Sequence, residues 1–213
     1  MAFNYHFKDC GIISYDNGLN LQKYYINLVK KGALKGVFLL LEHTPVYTIG
    51  KGCKKDPQYF NYLKQLADLY FIDRGGDITF HGPGQLVVYP ILDLNYFKRD
   101  LHLFIEMLEE AIIRLLKLYN IVAGRKAKYT GVWIGNEKIS SIGIACRNWI
   151  TWHGIAFNVN VDLNYFSYIT PCGISEFGVT SLEKEGLKVS VNDLKTQLIP
   201  IIEDLFNISY VNT

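Results

Sequence analysis

The sequence predicts an α+β fold, a mixed β-sheet packed with helices. Three observations lead there. Strand-like runs come in clusters joined by short turns, around residues 37–49, 67–92 and 131–158. Two long stretches, 101–119 and 191–206, place apolar residues at helical spacing instead. The helices fall between strand clusters rather than alternating with single strands, which argues against a doubly wound parallel sheet. With 213 residues, the chain fits a single domain spanning residues 1–213.

Taken in order, residues 3–15 alternate enough to start or edge a sheet. Asp16 or Asn17 is placed to cap a helix reaching about residue 31, with Leu21, Tyr24, Tyr25, Leu28 and Val29 on one face. Gly32 ends it. Val37-Phe38-Leu39-Leu40-Leu41 is a continuous apolar run, the mark of a central strand. It leads through Glu42-His43-Thr44-Pro45 into a second strand, 46–50, and a polar loop, 51–56. Residues 57–66 read as a short helix with Pro57 in its first turn, and 67–73 as a strand.

The next stretch is Arg74-Gly75-Gly76-Asp77-Ile78-Thr79-Phe80-His81-Gly82-Pro83-Gly84-Gln85-Leu86-Val87-Val88-Tyr89-Pro90. Paired glycines let a ligand approach the main chain closely. Residues 77–80 and 85–92 read as two strands about the Gly82-Pro83-Gly84 turn, a hairpin-like unit with Arg74 and His81 near its ends. Asp100 then caps a long helix, 101–119, which reads as a packing helix without chemistry. A basic segment, 124–130, precedes a meander: strands at 131–134, 138–144 and 149–158, the first pair joined at Gly135-Asn136. Thr170-Pro171-Cys172-Gly173 is a rigid loop. Ser190 caps a final helix, 191–206, which Pro200 is expected to interrupt or kink.

Composition narrows the function. Hydrophobic residues make up 49% of the chain, enough for a full core. A net charge of +2 gives no case for nucleic acid, and no apolar run reaches membrane-spanning length. No secretion signal is expected, and Cys10, Cys53, Cys146 and Cys172 show neither a C-x-x-C pair nor metal-ligand spacing, so free thiols in a cytoplasmic setting are expected. Neither nucleotide-loop form is present.

Cys172 is the first candidate for chemistry. A thiol attacks as thiolate, and its ordinary pKa of about 8.5 must be lowered by a nearby cation or dipole. Thiol–thioester exchange is close to isoenergetic, so a cysteine suits passing an acyl group between carriers. The alternative is a small buried hydrophobe in a turn. Lys138 opens a strand of Ile and Ser; it can activate a thiol or take a proton from an attacking amine, or it is a solvated lysine at a hairpin end. His43, His81 and His153 can orient a ligand or be satisfied locally, and no spacing builds a Cys-His-Asp triad.

Together these blocks resemble the lipoyl(octanoyl) transferase family. The 74–90 stretch carries most of the resemblance. Lys128-Tyr-Thr-Gly-Val-Trp-Ile-Gly-Asn-Glu-Lys-Ile139, His153-Gly-Ile-Ala-Phe-Asn158, Pro171-Cys-Gly173 and Glu42-His-Thr-Pro-Val-Tyr-Thr-Ile-Gly50 add to it, in the family's order. The resemblance implies the biotin/lipoate protein ligase catalytic fold. It implies transfer of an octanoyl group from octanoyl-acyl carrier protein to a lysine of lipoyl domains, those of 2-oxoacid dehydrogenase E2 subunits and the glycine cleavage H protein. It implies Cys172 as the acyl-carrying nucleophile and Lys138 as the lysine that lowers its pKa. The substrate-binding residues it implies are Arg74, Gly75, Gly76, Asp77, Ile78, Thr79, Phe80 and His81; Ser141, Ile142 and Gly143; and His153, Gly154, Ile155 and Ala156. No cofactor or metal is expected, since a thioester donor is already activated. Lys51, Lys54, Lys55, Arg125, Lys126 and Lys128 are candidate docking charges for acidic partner domains.

Overall fold

The computed structural model describes residues 4–169 and 177–210. The chain begins with β1 (Asn4–Ile13), α1 (Tyr15–Lys30), β2 (Gly36–His43), β3 (Val46–Ile49), α2 (Pro57–Leu63) and β4 (Asp68–Phe71). It continues through β5 (Ile78–His81), β6 (Gln85–Leu92), α3 (Leu101–Lys117), β7 (Gly124–Lys126), β8 (Tyr129–Ile134), β9 (Glu137–Arg147) and β10 (Ile150–Asn158). Then follow α4 (Asn164–Ser167), β11 (Gly178–Val179), α5 (Val191–Phe206) and β12 (Ser209–Tyr210). None of the described helices is long and apolar enough to cross a membrane.

The large sheet runs β12-β1-β2-β6-β10-β9-β8-β7, with β11 beside β9; the small sheet runs β4-β3-β5. Pairing is mixed: β1 lies parallel to β2, whereas β2, β6, β10 and β9 are successively antiparallel. The apolar run in β2 is explained by burial on both faces. Val37, Leu39 and Leu41 join Val87, Tyr89 and Ile91 of β6 under α1. Phe38 and Leu40 join Leu86 and Val88 under α3 and α5, against Leu108, Ile112, Leu198 and Ile202. A third core, with Tyr47, Ile78, Phe80 and Phe166, fills the small sheet.

Several expectations change. The cap of α1 is Ser14, whose Oγ accepts from the Asn17 N–H at 3.3 Å. Its most buried residues are Tyr15, Gly18, Gln22 and Val29, and Tyr24 stands 57% exposed. Gly18 lies against the His43 ring, where a Cβ would come within 2.7 Å, and that approach sets the face. β5 and β6 are not a hairpin: β5 pairs with β3 in the small sheet, and β6 sits in the middle of the large one. The Gly82-Pro83-Gly84 turn carries the chain from one sheet to the other. α5 runs unbroken through Pro200, and its capping box of Ser190 and Asp193 anchors the start.

Candidate active site

The crossing from small sheet to large creates a cavity of about 410 Å³. Its rim is the 74–77 loop, and its walls include Ile78, Thr79 and His81 of β5, Ser141, Ile142 and Gly143 of β9, and Gly154, Ile155 and Ala156 of β10. That volume lies within the range of about 300–1,000 Å³ usual for small-ligand pockets.

Backbone bonds hold the rim. Gly50, Lys51 and Gly52 donate to the carbonyls of Asp77, Arg74 and Gly76 at 3.0, 3.2 and 2.9 Å. Gly76 adopts φ +84°, and a Cβ on Gly50 would lie 2.4 Å from the Gly76 oxygen. The glycines therefore let two loops meet backbone to backbone. Arg74, buried, turns its guanidinium back onto the scaffold: Nη2 donates to Thr48 O at 2.8 Å and to Thr48 Oγ1 at 3.0 Å, and Nη1 to Gly75 O at 3.0 Å.

Behind Arg74 runs a buried polar chain. Gln85 donates its amide to Phe80 O and Asn158 Oδ1, which leaves its Oε1 to accept from His81 Nδ1 at 2.7 Å. His81 Nε2 then accepts from the Thr48 hydroxyl at 3.2 Å, a tautomer fixed by the network. Burial drives the His81 pKa down from 6.5 to about 3, so the ring is neutral. His43 is neutral for the same reason, with its pKa pushed down to about 4 by burial. Its Nδ1 donates to Ile13 O at 3.0 Å, and its Nε2 accepts from Tyr89 Oη at 2.7 Å.

His153 takes a different part. It sits within β10 at φ +57°, in the left-handed region. Its backbone N–H donates to Gln22 Oε1 at 2.8 Å, and its Nε2 to Asp73 Oδ1 at 2.8 Å. Burial lowers its pKa by more than the carboxylate raises it. Partial burial works against the Asp73 carboxylate, yet hydrogen bonds from His153 and Trp152 hold its pKa below the usual value.

Lys138 is also buried and also lines the cavity. Its Nζ donates to Thr130 O at 3.1 Å and lies 4.7 Å from the Trp133 ring centre. Val179 of β11 pairs with Lys138, and Thr180 N–H donates to its carbonyl at 3.0 Å.

A family model described as the lipoyl protein ligase A/B catalytic domain matches residues 14–203. An octanoyltransferase of Caldanaerobacter subterraneus is 51% identical over 203 residues, which span 94% of this chain and 89% of that protein. Another, of Clostridium kluyveri, is 46% identical over 186 residues, 86% of this chain and 80% of that protein. The chain belongs to the octanoyltransferases of the lipoyl protein ligase A/B family. The octanoyltransferase shares its fold with a lipoate-protein ligase A bound with ATP, at TM-score 0.77 and 16% identity over 100% of this chain and 89% of that one. It also matches a biotin protein ligase of Aquifex aeolicus at TM-score 0.52 and 14% identity, over 97% of this chain and 70% of that one.

Within this octanoyltransferase, two site residues expected from sequence stand apart from the rest, and among the described residues the cavity gathers all but Phe80. Phe80 is one: its ring stacks on that of Tyr165, with centres 4.2 Å apart, and packs in the small core with Tyr47 and Phe166. Cys172 is the other; it lies outside the described residues. Sequence reasoning missed Tyr15, Ile72, Val87, Tyr89 and Ile105, which also line the cavity. β6 is apolar and buried along its whole length, so nothing in its pattern marks Val87 and Tyr89, and Tyr15 and Ile105 lie on helices read only for packing. Cys10, Cys53 and Cys146 do not line it, and burial pushes all three thiols up. Among the described residues no cluster of His, Cys, Asp and Glu is arranged to hold a metal ion.

Proposed function

We propose that this octanoyltransferase moves the octanoyl group from the thioester of octanoyl-acyl carrier protein, by way of Cys172, to a lysine of a lipoyl domain. The acceptors would be E2 subunits of 2-oxoacid dehydrogenases and the glycine cleavage H protein, met in the cytoplasm. In the first half-reaction the Cys172 sulfur attacks the thioester carbonyl. A new C–S bond forms, the bond to the carrier sulfur breaks, and the Lys138 ammonium gives the departing sulfur its proton, so the carrier leaves as its thiol and Lys138 is left neutral. In the second, the acceptor amine attacks the acyl-enzyme carbonyl. A C–N bond forms, the Cys172 sulfur leaves, and the proton of the amine passes to Lys138.

One observation supports this most directly. Lys138 lines the same cavity as the glycine-rich 74–77 loop, and β11 pairs with it just after the segment that contains Cys172. A cation at that point suits a thiolate and a developing oxyanion alike.

Intact-mass analysis with octanoyl-acyl carrier protein tests it. The enzyme should gain one octanoyl mass, mapped to Cys172, and Cys172→Ser should gain none. Lys138→Ala should acylate slowly at neutral pH and recover as pH rises. Faster transfer from free octanoate with ATP than from the carrier thioester would replace this function with a ligase.

A further inference from the structure

Helix α3 carries a carboxylate that bonds to the backbone of β8, at a peptide unit that also holds Lys138. Glu109 lies among Leu108, Ile112 and Leu116 and is 5% exposed. A carboxylate taken that far out of water has to be paired. Its Oε2 accepts from Arg125 Nε at 2.9 Å. Its Oε1 accepts from the backbone N–H of Gly131 at 2.8 Å.

That N–H belongs to the peptide unit that joins Thr130 to Gly131. The carbonyl of the same unit accepts from Lys138 Nζ at 3.1 Å. The described residues contain no cis peptide bond, so the N–H and C=O of this unit point in opposite directions. Drawing the N–H onto Glu109 turns the carbonyl toward the lysine. Gly131 makes the approach possible. It adopts φ +125°, and a Cβ there would lie 2.4 Å from Ser140 O and 3.5 Å from Lys138 Cε. On the far side, Arg125 also donates to Glu106 O and Glu110 Oε2, each at 2.9 Å, which fixes the guanidinium that orients Glu109.

We propose that Glu109 is a positioning residue for Lys138, acting through the peptide unit between residues 130 and 131. A long lysine stem has many rotamers to lose, and a fixed acceptor selects among them. This deepens the reading of Lys138 as catalytic and rests on it.

Three variants test the relay. Glu109→Gln keeps an acceptor oxygen for Gly131. Glu109→Asp is one carbon too short to reach it but keeps the charge opposite Arg125. Glu109→Leu removes the acceptor. In single-turnover octanoyl transfer to an apo lipoyl domain, the Asp and Leu variants should lose on the order of 100-fold in rate, the usual effect of a ~1 Å misplacement, with KM little changed. The Gln variant should stay close to the parent. In a Lys138→Ala background, Glu109→Asp should cost nothing further, a non-additivity that a merely structural role would not give. Crystal structures should show the contact between Lys138 Nζ and Thr130 O lost in Glu109→Asp and kept in Glu109→Gln. If Glu109→Leu does not fold, Glu109→Asp carries the test alone. A folded Glu109→Asp enzyme that keeps the contact and the parent rate overturns the relay, as does an equal further loss in the Lys138→Ala background. An unimpaired Lys138→Ala enzyme overturns the catalytic reading instead, and the crystallographic contact then decides the relay by itself.

Discussion

Gly143 of β9 and Gly154 of β10 sit directly opposite each other in the large sheet. They are bare for different reasons. A Cβ on Gly143 would lie 2.9 Å from Arg74 Cδ, whereas one on Gly154 would lie 2.0 Å from the Val88 carbonyl oxygen. Gly154→Ala therefore has to pry β10 from β6 and should destabilise the fold by at least about 1–3 kcal/mol, the usual cost of overpacking. Gly143→Ala meets a side chain rather than backbone, so it should fold but displace Arg74 and raise KM. Thermal unfolding and steady-state kinetics on the two variants check the contrast; equal loss of stability in both would refute it.

How much of this was legible in the sequence depends on the range of each signal. β6 and the caps of α3 and α5 follow from local pattern, and the structure has them where the pattern puts them. The β5–β6 hairpin was misread because a Gly-Pro-Gly turn looks the same whether the chain folds back or changes sheet. Glu109 was passed over because α3 has a strong apolar period. A buried acid on such a helix is recognisable only once its partners, Arg125 and Gly131, are in view. The left-handed φ of His153 leaves no mark in residue type at all. Arg125, read as a docking charge, is exposed and ion-paired with Glu109 and Glu110, a pairing that its sequence neighbourhood does not signal.

Asp73 and His153 should act together to hold the rim. A non-glycine residue in the left-handed region costs on the order of 1 kcal/mol and persists where its surroundings hold it. Gln22 holds the backbone N–H of His153, and Asp73 holds the ring. Asp73→Ala leaves the Nε2–H of a buried ring without this acceptor, at about 1–3 kcal/mol. It should raise KM and speed hydrogen exchange in residues 73–77, while Asp73→Asn, which keeps an oxygen there, should behave nearly as the parent. Unchanged exchange in Asp73→Ala would show that the bond does not secure the loop.

The basic residues should separate into two groups. Arg125 is ion-paired with Glu109 and Glu110 at 2.9 Å, so Arg125→Glu should lower the unfolding temperature first and activity as a consequence. Lys54 and Lys55 are exposed on the loop that follows Gly50, Lys51 and Gly52, whose N–H groups bond to the rim. Reversing both should leave stability within about 0.5 kcal/mol. It should raise KM for an acidic protein substrate and flatten its dependence on salt. If KM and its salt dependence are unchanged, this loop does not dock the partner.

Acid should weaken the fold before most carboxylates titrate. His43 and His81 have ordinary pKa values of 6.5 when the chain is unfolded, and burial takes them to about 4 and about 3 in the fold. Between those values the unfolded chain binds more protons than the folded one, so protonation favours unfolding. The stability these rings permit is complete above about pH 6.5 and is lost progressively as pH falls through 4 and then 3. For His43 alone the loss is on the order of 3 kcal/mol, at about 1.4 kcal/mol per pKa unit. Asp73 and Glu110, whose pKa values are held below the ordinary carboxylate range, add a loss of the same sign at lower pH. The window from pH 6.5 to 4 is therefore the informative one. Denaturant unfolding across it should show a falling free energy, and His43→Leu should flatten the slope even though it lowers stability at pH 7 by leaving the Tyr89 hydroxyl without its partner. A parent enzyme whose stability is level from pH 6.5 to 4 would mean that these rings take up protons without opening the fold.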